Sequence, residues 1–465
     1  MIDFLKAKKI HFVGIKGAGM AALAQVLKYQ GLAVCGSDGA EEFFTDVVLK
    51  SRNIPVEPFS ATHIAKGFDV IIYSTGYGQD HEEIRAAHDL GIPLISYPEA
   101  VGRLFNNAHG IAVCGTHGKT TITALTAWIY DALGLDPTAL IGSTIQGTGN
   151  NAYTGRSKYW ILEADEYQNK FEHYNPKAII VSTIEYDHPD FFTDERAYAQ
   201  TFKTFLANPS CELVVAGADD TGVQALIKEL YIPRLVTYGF DESSDYRITD
   251  VTEDHKGFSF GVKNKGVSLG TFHTPLVGRH NIANACAVIA LVHAQNLNPI
   301  EKVAEALTSF QGTGRRFETI GMLGNTIVID DYAHHPAEIR ATLQGACARY
   351  PRKRIVCCFG PHTYTRTHAL FDDFARSFRD CDQVLLLDIY ASARETKGPV
   401  HSKDLADAIS AHSHNALYTG SIPHTIAIVR ERIHDIDILI TMGAGDVWKV
   451  GRYLLEDIHF APDGQ

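Results

Sequence analysis

The residues with the type and spacing to do chemistry fall in two glycine-rich turns and a set of acids near strand ends. Gly115-Thr116-His117-Gly118-Lys119-Thr120-Thr121 follows an apolar stretch, Gly110–Cys114, and precedes a helical one, Ile122–Leu133. It is a shortened G-x-x-G-K-T phosphate loop, with Val113 standing where the strict pattern has its first glycine. In such a loop backbone N–H groups cradle phosphate, the lysine offsets β/γ charge and the threonine hydroxyl faces Mg2+. A nucleotide phosphate held with Mg2+ is therefore the expected occupant. A Gly/Thr turn with a solvated lysine is the plainer reading, and the strand–loop–helix setting speaks against it.

Glu163-Ala164-Asp165-Glu166 closes the strand Tyr159–Glu163, and Glu185-Tyr186-Asp187-His188-Pro189-Asp190 follows the strand Ala178–Thr183. Carboxylates at the carboxyl ends of strands beside a phosphate loop are natural Mg2+ ligands, because that ion prefers hard oxygen donors. Singly, each acid would be a solvated strand end and His188 a plain hydrogen-bonding residue. Their joint placement beside Lys119 and Thr120 raises the reading of a metal site and leaves the choice among these acids open. No Ser/His/Asp or Cys/His nucleophile signature accompanies them.

The other turn comes first in the chain. Gly17, Gly19 and Ala22 fit G-x-G-x-x-A after the strand Lys9–Gly14 and before the helix Met20–Tyr29. Asp38 follows the next strand, Leu32–Cys35, 19 residues beyond Gly19. Glycines let the backbone approach a diphosphate, the helix N-terminus offers free N–H groups, and the acid accepts from ribose hydroxyls. Gly17, Ala18, Gly19, Met20, Ser37 and Asp38 are the expected contacts, joined by Ser74 and Thr75 after the strand Val70–Tyr73. The pattern alone does not tell NAD from another nucleoside diphosphate, and a dinucleotide oxidoreductase is the rival it suggests.

Three α/β patterns must position these residues. Strands alternate with helices from Lys9, including a helix His81–Leu90 and a strand Pro93–Ser96. The pattern restarts near Asn106, and a β-rich stretch spans about Leu235–Thr274 before a long helix from His280. After a linker, Gln311–Arg316, it begins again with strand Thr326–Asp330, helix Pro336–Arg349, strand Arg354–Phe359, helix Thr367–Arg379 and strand Gln383–Asp388. Such alternation implies doubly wound parallel sheets. With 465 residues, the chain exceeds what one core supports. The expected fold class is α/β with three domains: a Rossmann-like domain over 1–107, a central P-loop ATPase-type domain over 108–312 and a C-terminal Rossmann-like domain over 313–465.

The net charge of −12 gives no bulk attraction to nucleic acid or to an anionic membrane. No apolar run reaches transmembrane length, and the first residues lack a signal-peptide core. Eight cysteines without a CxxC pair suit a reducing compartment. A cytoplasmic protein without membrane insertion is expected.

In order along nearly the whole chain, these motifs resemble the Mur ligases, the enzymes that build the peptidoglycan stem peptide. The resemblance rests on Gly14–Met20 with Gly36-Ser37-Asp38, Gly115–Thr121, Glu163–Glu166 and Asp187–Asp190. Further on it rests on Gly278-Arg279-His280-Asn281-Ile282-Ala283-Asn284, Arg315-Arg316-Phe317, Asp330–Pro336 and Pro361–Thr367. It implies UDP, not NAD, at the first site. It also implies Mg2+-binding positions at Thr120, Glu163 and His188, catalytic roles for Lys119, Glu163 and His188, ATP contacts at Asn284, Arg316 and Asp331, and an amino-acid pocket around Tyr332, His334 and Arg366. Many members carry arginine where Thr363 stands; others resemble this chain there and in Ser392-Ala393-Arg394-Glu395, which implies a carboxylate-binding role for Arg394. Lys203 lies near the place of the carbamylated lysine of some members, but its spacing is off and it reads as a surface lysine. The set is most similar to members that join L-alanine to UDP-N-acetylmuramic acid through an acyl phosphate, using ATP and Mg2+, as a monomer or homodimer. Tripeptide-recycling and folylpolyglutamate synthase-like members are the alternatives.

Overall fold

The computed structural model describes residues 6–64, 67–391, 395, 397–413 and 416–457. Its first sheet holds β1 (Lys9–Val13), β2 (Ala33–Asp38), β3 (Val56–Pro58), β4 (Val70–Tyr73) and β5 (Leu94–Ser96), all parallel, in the order β3-β2-β1-β4-β5. The strand order reverses between β1 and β4. That switch point opens a crevice at the strands' carboxyl ends, and the Gly14–Gly17 turn sits there. β1 is apolar on both faces because the sheet is covered on both, with Ile10, Phe12 and Val13 all buried. The helix Ala18–Tyr29 begins two residues before the expected Met20 and buries Met20 through Leu27.

The central sheet has ten strands: β6 (His109–Cys114), β7 (Thr138–Leu140), β8 (Ala152–Thr154), β9 (Tyr159–Glu163), β10 (Ala178–Val181), β11 (Leu213–Gly217), β12 (Leu235–Gly239), β13 (Tyr246–Asp254), β14 (Gly257–Asn264) and β15 (Val267–Thr274). Their order is β15-β14-β13-β12-β11-β10-β6-β9-β7-β8. β6 lies inside the parallel part, between β10 and β9. The β-rich stretch read from sequence is the antiparallel meander β13–β15 together with β12. The helix after the phosphate loop runs Lys119–Ala132, so it starts inside the loop and not at Ile122: Gly118, in the left-handed region at φ 80°, already turns the chain into it.

The third sheet comprises β16 (Glu318–Leu323), β17 (Thr326–Asp331), β18 (Ile355–Phe359), β19 (Gln383–Leu387), β20 (Ala416–Gly420) and β21 (Ile438–Met442), ordered β16-β17-β21-β18-β19-β20 with only β16 antiparallel. The single helix expected over Thr367–Arg379 is instead two short ones, Tyr364–Ala369 and Phe371–Ala375. Thr363 caps the first, and the chain leaves helical geometry at Leu370.

One apolar cluster runs from the first sheet into the central one, joining Ile10, Phe12 and Leu23 to Phe105, Cys114 and Phe202. Gln25 and Asn151 add a buried hydrogen bond of 2.7 Å across that junction. The third sheet keeps separate clusters, and polar pairs such as His117 with Glu338 bridge it to the central one. All eight cysteines are free thiols. Among the described residues no helix is long and apolar enough to cross a membrane.

Candidate active site

β6 delivers the chain to Gly115, whose φ of +129° and contact with β10 leave no room for a side chain: a Cβ there would lie 2.2 Å from Ser182 Oγ. The loop is then pinned from behind, Thr116 N donating to Thr183 O at 2.8 Å and His117 N to Thr183 Oγ1 at 3.0 Å. Its far side carries the N-terminus of the helix Lys119–Ala132, whose first N–H groups have no intrahelical partner and suit an anion.

Lys119 Nζ donates to Gly115 O at 2.5 Å and to Glu166 Oε2 at 3.2 Å. Burial alone would lower its pKa, but Glu166, Asp165 and Glu163 together raise it well above the usual lysine value. Thr120 Oγ1 donates to Glu163 Oε1 at 2.8 Å, and Gly142 N to Glu163 Oε2 at 2.7 Å. Burial raises the Glu163 pKa against those bonds. His188 does not join this pair. Its Nε2 lies 3.6 Å from Glu166 Oε1, and the donor atoms of Asp165, Glu166 and His188 come within 4.8 Å of one another. Thr120 with Glu163, and His188 with Asp165 and Glu166, are thus two donor groups linked through Lys119. Both are rich in carboxylate oxygen, the chemistry Mg2+ requires. Glu166 is fully buried and also accepts from Tyr198 OH at 3.1 Å. The sequence offers it only as one carboxylate of the Glu163–Glu166 run, an alternative to Glu163.

A cavity of about 370 Å³ opens in front of the loop, between the central and third sheets. Of the ten residues expected to contact ATP, seven line it: His117, Gly118, Thr120, Thr121, Asn284, Arg316 and Asp331. Gly115, Thr116 and Lys119 hold the loop from behind. Asp219, Tyr238 and Asn281 line it too and were not anticipated. Asp219 follows β11, a strand the sequence reading did not identify, so its strand-end position carried no weight. Arg316 lies over the Tyr332 ring at 5.3 Å and 3.7 Å from Glu338 Oε1. Burial pushes the Asp331 carboxyl up to about 6, against Arg316 and the N–H groups of Ala333 and Phe317. His117 bridges the two halves, Nε2 to Glu185 Oε2 at 3.0 Å and Nδ1 to Glu338 Oε1 at 3.1 Å. Burial would lower its pKa, but the two carboxylates prevail and raise it to about 9.

Tyr332, His334 and Arg366 gather next to this cavity. His334 Nδ1 lies 3.0 Å from Tyr332 O, and burial lowers its pKa to about 4. Arg366, expected to await a carboxylate, already has one: its Nε and a terminal nitrogen each lie 3.0 Å from Asp187 Oδ1, and its other terminal nitrogen 3.0 Å from His362 Nδ1. Arg366 holds the Asp187 pKa far below the usual carboxylate range despite burial. Thr363 accepts from Arg366 N at 3.4 Å as the helix cap. Arg394 lies outside the described residues. Lys203 pairs with Glu229 at 2.7 Å on the surface, as an ordinary surface lysine would.

In the first sheet, Asp38 closes β2 and turns back on the glycine turn, accepting from Lys16 N at 2.6 Å and Gly39 N at 2.8 Å. Gly14 N and Ile15 N donate to Ser37 O. The Ser37 hydroxyl points away, to buried Glu83, and the Met20 side chain packs into the core, so only their backbones face the turn. The two glycines differ. A Cβ at Gly19 would meet Tyr97 OH at 2.4 Å, so Gly19 serves helix packing, whereas at Gly17 the nearest atom is 3.6 Å away. The protein's own packing therefore does not demand a glycine at position 17. Ser74 borders the turn, donating its N–H to Val13 O at 3.0 Å, and Thr75 follows it, half-buried.

Three family models match in sequence order. The Mur ligase family catalytic domain covers residues 9–109, the Mur ligase middle domain 113–292 and the Mur ligase glutamate ligase domain 315–445. The UDP-N-acetylmuramate–L-alanine ligase of Desulfitobacterium hafniense (strain Y51) is 41% identical over 96% of this chain and 99% of its own length. That of Caldanaerobacter subterraneus subsp. tengcongensis is 39% identical over 98% and 99%. The crystal structure of a UDP-N-acetylmuramate-alanine ligase from Thermotoga maritima superposes with a TM-score of 0.82 at 27% identity, covering 97% of this chain and 98% of that one. A murein peptide ligase from Psychrobacter arcticus shares the fold, with a TM-score of 0.74 at 24% identity over 97% of this chain and 98% of that one.

Proposed function

The chain belongs to the Mur ligase family, and from that premise we propose that it joins L-alanine to UDP-N-acetylmuramic acid with ATP, releasing ADP and phosphate. The observation that carries this reading is a cavity lined on one side by the phosphate loop, through His117, Gly118, Thr120 and Thr121, and on the other by Arg316 and Asp331 of another domain. A site split in this way suits a reaction that must gather three substrates and then exclude water.

In the proposed division, residues 1–107 hold the UDP-sugar, 108–312 the ATP and 313–465 the amino acid. The sugar's carboxylate oxygen attacks the γ-phosphorus and ADP leaves; the alanine amine then attacks the acyl carbon, phosphate leaves and the amine gives up its proton. Lys119 and the helix N-terminus offset charge on the transferring phosphoryl group, and Arg316 adds a cation from the opposite wall. Thr120 and Glu163, with His188, Glu166 and Asp165, are the residues to hold Mg2+, which when bound neutralises phosphate charge. Asp187 fixes Arg366, and Tyr332 and His334 shape the pocket beside it for the amino acid. Such chemistry is largely positioning and charge neutralisation, which accounts for a site without a nucleophilic side chain. This reading makes the protein cytoplasmic.

The test is ADP release by the full chain with ATP, Mg2+, UDP-N-acetylmuramic acid and a panel of acceptors. L-Alanine should give the fastest release, above glycine, serine and L-alanyl peptides. Preference for a peptide would replace this reading with a recycling ligase, and release without UDP-N-acetylmuramic acid would end it.

A further inference from the structure

His117, Glu185 and His335 form a cluster apart from the oxygen-rich donors around Lys119, their ligand atoms within 4.8 Å of one another. Two of them sit on the central domain and one on the third, at the start of the helix Pro336–Arg349. The His117 and His335 rings are 5.0 Å apart. His335 is 3% exposed, yet its Nε2 has no hydrogen-bond partner, while its Nδ1 accepts from Ala337 N at 3.4 Å. A buried imidazole nitrogen left without a partner costs stability unless something binds it. Glu185 is held through its backbone, exchanging bonds of 2.8 and 2.9 Å with Thr116 Oγ1, and its carboxylate is solvent-accessible, which gives an entry path.

We propose that His117, Glu185 and His335 form a binding site for a borderline divalent cation of the zinc class, assembled only when the third domain docks on the central one. Two imidazoles and one carboxylate with an open fourth position is a ligand set such ions accept, whereas Mg2+ prefers oxygen alone. The surroundings match as well. With Nε2 on the metal, His117 Nδ1–H donates to Glu338 Oε1, the outer carboxylate that orients a ligating histidine. The Nε2 proton of His117 leaves to solvent on binding. Because the ligands come from both sides of the cavity, the bound ion ties the phosphate loop to the third domain and disfavours its opening.

The experiment is a calorimetric titration of the full chain with ZnCl2, in excess Mg2+ to occupy the oxygen-rich donors. Wild type should bind one Zn2+, and Glu185→Gln and His335→Asn should each bind it at least about 10-fold more weakly. Glu185 is exposed, and asparagine at 335 keeps a good helix cap, so metal-free thermal melts should show both variants folded. His188→Ala should leave Zn2+ affinity unchanged. No Zn2+ binding by wild type, full binding by both variants, or loss of binding in His188→Ala would each overturn the site.

Discussion

Burial works against the charge on Lys119, and Glu166, Asp165 and Glu163 around it hold that charge in place. A cation held this way offsets γ-phosphate charge without reorganising when the charge develops. Lys119→Ala should therefore lower kcat at saturating ATP by about 100-fold or more, on the order of 3 kcal/mol, while circular dichroism shows a folded protein. Near-normal turnover would remove Lys119 from the mechanism. The two donor groups on either arm of Lys119 should behave differently. Glu163 bonds Thr120 beside the loop, so Glu163→Ala should raise the Mg2+ concentration needed for half-maximal activity. His188 offers nitrogen, a less usual Mg2+ ligand, so His188→Ala should lower turnover more than it shifts that concentration. Activity against Mg2+ for both variants separates these roles. An unchanged Mg2+ requirement in Glu163→Ala would transfer the ligand role to Asp165 or Glu166.

Asp38 shows how an element positions a site. It closes β2 and clamps the turn after β1 through Lys16 N. Asp38→Ala should weaken UDP-N-acetylmuramic acid binding and leave ATP affinity nearly unchanged, since the ATP cavity has no wall in the first sheet. Calorimetry of each ligand alone decides it; equal losses would mean that the two sites are not separate. Both glycine turns were legible in sequence because a strand buried on both faces is a continuous apolar run, and glycines mark where it breaks. Three-residue strands such as β3, β5 and β7 give too short a pattern to separate from loop, and of the three only β5 was read. Strand alternation could not choose among Glu163, Asp165 and Glu166, because the acids extend past the strand end. The place of Ser37 and Met20 in the turn points to ligand contact, but their side chains face Glu83 and the core. The pairing of Arg366 with Asp187, 179 residues apart, has no local signature at all.

At the scale of the whole molecule, polar contacts dock the third domain on the central one, and His117 is central among them. Its folded pKa of about 9 lies above the ordinary 6.5, so its contribution is fully present below pH 6.5 and is lost as pH rises through 9. In chelator-treated buffer, wild type should lose melting temperature between pH 6.5 and 9, and His117→Gln should lose less across that window. Parallel curves would remove His117 from the clasp. The last strand among the described residues, β21, lies in the middle of the third sheet, between β17 and β18. A ribosome releases β17 and β18 long before their shared neighbour exists, so the first two domains can fold during synthesis while the third must wait for residue 442. A nascent chain halted before Ile438 should give a protease-resistant core ending near Phe310 and a digestible remainder. Chaperones that bind unpaired strands therefore have one predictable interval in which to meet this protein, after its nucleotide loop has folded and before its amino-acid domain has.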